Sequence, residues 1–160
     1  MANLLDTNVF IEAKNHYYGF DICPGFWEWL DRAFAEGVLL SIKGVRDELM
    51  QRQVRLSTWC RSRKQMFLDT NDGKTYESLK LLSGWVSENY NGAAKTKFLG
   101  DVDFVLVGYA HAHGHTVVTT EIASHGKQVK IPNACKAMDV PCINPFQMLA
   151  TAKVRFYLPR

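Results

Sequence analysis

The chain lacks most of the features that announce a function. Its cysteines, Cys23, Cys60, Cys135 and Cys142, contain no C-x-x-C pair, which argues against a zinc or redox motif built on them. Read as reduced and mostly buried thiols, they fit a reducing compartment. No stretch approaches the ~18 uninterrupted apolar residues expected of a membrane-spanning helix. The N-terminus has no charged region followed by a long apolar core, so a soluble, cytoplasmic protein with no membrane partner is expected. Neither G-x-x-x-x-G-K nor G-x-G-x-x-G occurs, which leaves nucleotide binding by those loops unsupported. A net charge of +3 over 160 residues is too small to name a partner. Internal repeats, linkers and low-complexity runs are also missing, so one domain spanning residues 1–160 is expected.

What is present alternates between short apolar runs and helical patterns. Asn3 to Leu5 reads as a first strand, broken by Asp6-Thr7-Asn8, with a brief helix through Phe10, Ile11 and Ala13. Residues 15–25 read as an ordered loop. Pro24 opens a helix with Phe26, Trp27, Leu30 and Phe34 on one face, ended by Gly37. Val38 to Leu40 is a second strand candidate, after which Ser41 is placed to cap a helix carrying Ile42, Val45 and Leu49. Helical material is expected from Trp59 to Phe67 and from Tyr76 to about Tyr90. Val102, Val105, Leu106 and Tyr109 follow helical spacing up to a Gly114 C-cap, and Thr116 to Thr119 reads as a buried strand. A short strand over Gln128 to Ile131, a helix capped by Asn133, a strand at 141–143 and a helix started by Pro145 complete the pattern. Strands alternating with helices predict an α/β sandwich with a largely parallel sheet.

Within that frame, acids recur where strands hand over to helices or loops. Asp6 closes the run Leu4-Leu5, Glu48 lies on the helix after the second strand, Asp103 opens a helix, and Glu121 follows TVVTT. Each has an ordinary explanation as a cap, a dipole-complementing charge or a solvated acid. Asp47 competes with Glu48, and Asp101 with Asp103. As a set they converge on the carboxyl edge of a parallel sheet, where ligands of such folds bind. Crowded carboxylates suit a hard cation such as Mg²⁺ or Mn²⁺, which would keep them ionised and assist hydrolysis of an anionic phosphodiester. Thr7, Asn8, Thr119 and Thr120 place small polar groups beside these acids, either to orient them or simply to form turns.

Other constellations are weaker. His111, His113 and His115 straddle a helix end and read as solvated histidines complementing the dipole. A phosphatase using Asp6 as nucleophile would pair it with an aspartate where Asn8 stands. The stretch from Arg46 to Lys64 is basic, and Arg52, Arg55, Arg61 and Lys64 are candidates for contacts to an RNA backbone. Trp59, inside that stretch, is a candidate for stacking on a base.

The motifs LLDTNVF, the helical Glu48 after VLLS, VDFVLVGYAHAHG and TVVTTE resemble, in order and approximate spacing, those of the PIN-domain nucleases. The chain is similar to toxin ribonucleases of the virulence-associated protein C type. It is most similar to a bacterial PIN-like family of uncharacterised activity, which shares the opening LLDTNVFIEAKNHYYGFDICPGFW and the tail KIPNACKAMDVPCINPFQML. The resemblance implies a three-layer α/β/α fold and metal-dependent RNA cleavage. Carried over, the family acids fall on Asp6, Glu48, Asp103 and Glu121, and counting back from Gly108-Tyr109-Ala110 selects Asp103 over Asp101. Glu121 stands where aspartate is commoner, and Gly108 where alanine is usual. The resemblance also implies an antitoxin protein as partner and a homodimer. Competing readings are a non-catalytic RNA- or partner-binding module on the same fold, and a structure-specific DNA nuclease.

Overall fold

A computed structural model describes residues 1–52 and 54–158 of the chain. Five short strands, β1 (Asn3–Leu5), β2 (Leu39–Ile42), β3 (Phe67–Leu68), β4 (Thr116–Val118) and β5 (Cys142–Ile143), form one sheet in the order β3-β2-β1-β4-β5. Every pairing is parallel, with Asn3 opposite Leu39 on one side and Thr116 on the other. A parallel sheet is buried on both faces, so its strands are continuous apolar runs. Leu4, Leu5, Leu39, Val117 and Val118 are accordingly fully buried. Helices cover the two faces, as the α/β/α expectation requires.

The helices are α1 (Thr7–Glu12), α2 (Pro24–Ala35), α3 (Lys43–Arg52), α4 (Val54–Arg61), α5 (Gly73–Asn89), α6 (Gly92–Leu99), α7 (Val102–His113), α8 (Ile131–Ala137) and α9 (Pro145–Thr151). The long ones follow the expected periodicity. In α2, Phe26, Trp27, Leu30 and Phe34 are buried, and α7 ends on Gly114 at φ +68. Among the described residues, no helix is long and apolar enough to cross a membrane.

The departures have local causes. Ser41 does not cap α3. It sits inside β2, which starts at Leu39 rather than Val38, and its Oγ donates to the Leu5 carbonyl at 2.8 Å. The helix expected over Trp59–Phe67 stops at Arg61. A 3₁₀ turn at Lys64–Met66 then delivers Phe67 and Leu68 into the sheet, opposite Ser41 and Ile42. Two residues are too few to show a period. The strand expected at Gln128–Ile131 does not form, because Ile131 already begins α8. Asn133 is therefore not a cap. Its amide clamps Ser124 instead, accepting from that N–H and donating to that carbonyl, both at 2.9 Å. Residues 15–17 of the expected loop are helical, forming a π turn with residues 13 and 14, and α6 lies where the sequence pattern gives no helix signal.

Two glycines permit close helix approaches that the rest of the site depends on. A Cβ on Gly108 would come within 2.4 Å of Leu79 Cδ2, so the glycine standing where alanine is usual is what lets α7 lie against α5. A Cβ on Gly44 would come within 2.5 Å of Val102 Cγ2, so the start of α7 rests directly on the start of α3.

Candidate active site

The strand order reverses direction between β1 and β4, and in open α/β sheets that reversal leaves a crevice at the carboxyl ends of the strands. A cavity of about 160 Å³ opens there, and Asp6, Glu48, Asp101, Asp103 and Glu121 all line it. Four different connections supply them. Asp6 follows β1, Glu48 projects from α3, Asp101 and Asp103 sit at the start of α7, and Glu121 lies beyond β4.

Asp6 stands at the N-cap position of α1, yet its side chain makes no cap hydrogen bond. Its backbone N–H donates to the Val118 carbonyl at 3.0 Å, locking the end of β1 to β4. The carboxylate, 1% exposed, accepts instead from Thr119 Oγ1 at 3.0 Å. Burial, reinforced by repulsion from Glu121 and Glu48, pushes the Asp6 carboxyl up to about 7 despite the Thr119 bond. Asp103 is pushed to about 8 by burial and by its neighbours Asp6, Asp101, Glu121 and Glu48.

The members of the two competing pairs are placed differently, although Asp101 and Asp103 both line the cavity. Asp101 is the N-cap of α7, accepting from the Asp103 N–H, while Asp103 occupies the first turn behind it. Asp47 is exposed and Glu48 turns into the cavity, where Thr7 Oγ1 donates to Glu48 Oε2 at 2.6 Å. Arg52, one turn on, lies 3.8 Å from Glu48 Oε1.

The neighbouring polar groups divide. Thr7 and Asn8 line the cavity, and Thr119 bridges Asp6 and the backbone N–H of Glu121. Thr120 turns away and donates to Glu12 Oε1 at 3.1 Å. Of the basic candidates, Arg52 lines the cavity and the other three do not. Arg55 is bidentate to Asp21 at 2.6 and 2.9 Å and lies over the Phe20 ring, while Arg61 and Lys64 are exposed elsewhere. Trp59 is unavailable to a base, being buried between Phe10 and Trp27 with the Arg63 guanidinium over its ring. Lys97, Phe98, Gln128 and Lys130 also line the cavity, without a motif of their own in the sequence. Lys130 carried one usable signal: it precedes Ile131-Pro132, a helix start, and helix starts in this fold face the carboxyl edge.

A family model described as a domain of unknown function (DUF4411) matches residues 3–156. The chain belongs to the DUF4411 family. Among curated proteins none matches. Two solved structures are similar to this DUF4411 chain over nearly its whole length. One is a chain of VapBC2 from Rickettsia felis, solved bound to a DNA fragment from their promoter, at 16% identity and a TM-score of 0.57. The other is a chain of FitAcB from Neisseria gonorrhoeae, at 18% identity and a TM-score of 0.55. Each alignment covers 90% of this chain and 98% of the other. At such identities the likeness speaks for the fold alone, the α/β arrangement with a parallel central sheet described above.

Proposed function

We propose that this protein is a metal-dependent endoribonuclease of the PIN type, acting in the cytoplasm as the toxin of a toxin–antitoxin pair and held by an antitoxin partner. The observation that carries the reading is the convergence of acids from four separate connections on one cavity at the sheet reversal. The PIN-like fold supports it. The likeness to chains of VapBC2 and FitAcB supports the antitoxin partner, and a homodimer is the assembly we expect.

The donor set fits a hard divalent cation in kind. As they stand, no three His, Cys, Asp or Glu side chains among the described residues form a ready-made metal cluster. Asp6 and Asp103 nevertheless sit desolvated beside other acids, and neither ionises at ordinary carboxylate pH without compensating positive charge. Asp6, Asp103 and Glu48 would hold Mg²⁺ or Mn²⁺, which supplies charge neutralisation for the phosphate and a more acidic water. The chain's own groups do the rest. Thr119 and Thr7 orient Asp6 and Glu48 through their hydroxyls. Arg52 and Lys97 offer cationic partners to phosphate oxygens at the cavity wall. Water adds to phosphorus, the P–O bond to the leaving nucleotide breaks, and the departing oxygen takes up a proton.

Incubating the purified protein with mixed RNA in Mg²⁺, Mn²⁺ or EDTA tests this. Cleavage is expected with either metal and none with EDTA; undiminished cleavage in EDTA would falsify the mechanism. A binding module without chemistry is the second reading, favoured by the fact that Glu48 and Glu121 already face cations of the chain. Intact RNA in every metal, with RNA still bound, would select it.

A further inference from the structure

Glu121 uses its carboxylate differently from Asp6 and Asp103. Its Oε2 accepts from the backbone N–H of Ile131 at 2.8 Å, and its Oε1 accepts from Lys130 Nζ at 3.1 Å. Its own N–H donates to Thr119 Oγ1 at 3.1 Å, which ties it to the hydroxyl that holds Asp6. The cause lies in α8. The N-cap of that helix is Lys130, whose side chain caps nothing, so the first amide of the helix needs an acceptor from elsewhere. Glu121, ten residues back and only 15% exposed along its side chain, provides it. A divalent ion taking Oε1 would have to displace an ammonium group that the carboxylate already holds.

Lys130 lines the same cavity as Asp6 and Asp103, with its side chain 37% exposed. An ammonium group carries three donors and Glu121 occupies one, which leaves donors for an anion in the cavity. Resting on the phosphodiesterase reading above, we infer that Glu121 is a positioning residue rather than a metal ligand, and that the Lys130 it holds binds the substrate's phosphate. The departure from aspartate at this position then has a purpose. The longer side chain reaches both the α8 amide and the lysine.

The test uses the full chain in two titrations: Mn²⁺ by calorimetry, and a fluorescent single-stranded RNA by anisotropy on an Asp6→Asn background. Glu121→Gln keeps an oxygen for the Ile131 amide and should hold Mn²⁺ within about 2-fold of wild type, whereas Asp103→Asn should lose at least ~10-fold. Lys130→Met should leave Mn²⁺ binding intact, weaken RNA roughly 10-fold and flatten the salt slope by about 0.7, with Lys130→Arg restoring most of it. In cleavage assays the Lys130→Met loss should fall on KM more than on kcat. If Glu121→Gln weakens Mn²⁺ as much as Asp103→Asn does, Glu121 is a ligand and the assignment falls. Unchanged RNA affinity in Lys130→Met overturns the role of the lysine. Should Glu121→Gln melt early, the two Lys130 variants carry the decision. A wild type that binds Mn²⁺ but no RNA sinks the nuclease reading and the role of Lys130, while the Mn²⁺ comparison still decides Glu121. A wild type that takes up neither overturns the site itself.

Discussion

At its N-terminal end, α7 carries Asp103 into a cavity with Asp6, Glu48 and Glu121; at its C-terminal end it carries His111 and His113, with His115 just beyond. Both ends are clusters of titratable groups, and the histidine run is the more conspicuous in the sequence. Their partnering differs. His111 Nδ1 lies 2.7 Å from Ser78 Oγ, His113 Nε2 lies 3.1 Å from Asp72, and His115 Nδ1 accepts from the Ala2 N–H at 3.3 Å. These histidines are not merely solvated, as the sequence suggested, but tie α5 and the N-terminus to α7. At the other end Glu48 and Glu121 also have partners in the chain, but Asp6 and Asp103 sit desolvated beside like charges. Partnered clusters hold a fold together, whereas a buried and under-compensated one stores a demand for a ligand.

The contrast should break most visibly at the acid end. Asp103→Asn and Asp6→Asn should each reduce RNA cleavage by ~10²–10³-fold, the usual cost of removing a preorganised electrostatic group. Asp101→Asn should be milder, since that residue caps the helix. Gel-based cleavage rates for the three variants check this, and a dead Asp101→Asn beside an active Asp103→Asn would reverse the register. The same two aspartate variants should melt higher than wild type in EDTA at alkaline pH, because each removes a repelled charge.

Next in size is a pH dependence of opposite sign at the two ends. Asp6 and Asp103 release their protons near 7 and 8 when folded but near the ordinary carboxylate value when unfolded. The folded state therefore binds more protons across that interval. The stability they contribute is complete below the unfolded pKa and is lost as pH rises through about 7 to 8. Asp72 runs the other way. The Thr75 N–H and hydroxyl hold it down to about 2, so its contribution is present above the unfolded value and is lost as pH falls toward about 2. Melting temperatures in EDTA across the pH range should show a fall on the alkaline side that Asp6→Asn reduces. Asp72→Asn should affect only the acid limb. An alkaline limb left unchanged by Asp6→Asn would contradict the assignment.

Smaller again are the steric effects along the helix. Gly108→Ala should destabilise by about 1–2 kcal/mol, overpacking against Leu79 outweighing the better helix propensity. Gly44→Ala meets Val102, next to Asp103, and should lower cleavage more than stability, with Val102→Ala relieving it. Chemical denaturation alongside cleavage rates separates the two. Least of all, His111→Ala should cost about 1 kcal/mol, the worth of one part-buried hydrogen bond to Ser78, and leave cleavage untouched.

Much of this was legible in the residues themselves. Leu4-Leu5 before Asp6 and Thr116 to Val118 before Thr119 announce buried strands, and Phe26 to Phe34 or Val102 to Gly114 announce helices, because burial imposes a period on a window of about ten residues. The acids at the strand ends follow from that reading, since a parallel sheet sends its carboxyl ends to one edge. What no local window carries is the choice of distant partners. The pairing of Phe67 with Ser41 makes a strand of two residues that have no period of their own. Arg55 is taken by Asp21 and Trp59 by its aromatic neighbours, which removes both from the basic surface that their spacing suggested. Glu121 reads as one more carboxylate until α8 arrives without a cap and takes it. The sequence determined which backbone elements form and where their charges emerge, because those are short-range consequences of periodicity and turn chemistry. Only the tertiary structure decided which of those charges is already spent, because a carboxylate's partners are set by packing between elements that lie far apart along the chain.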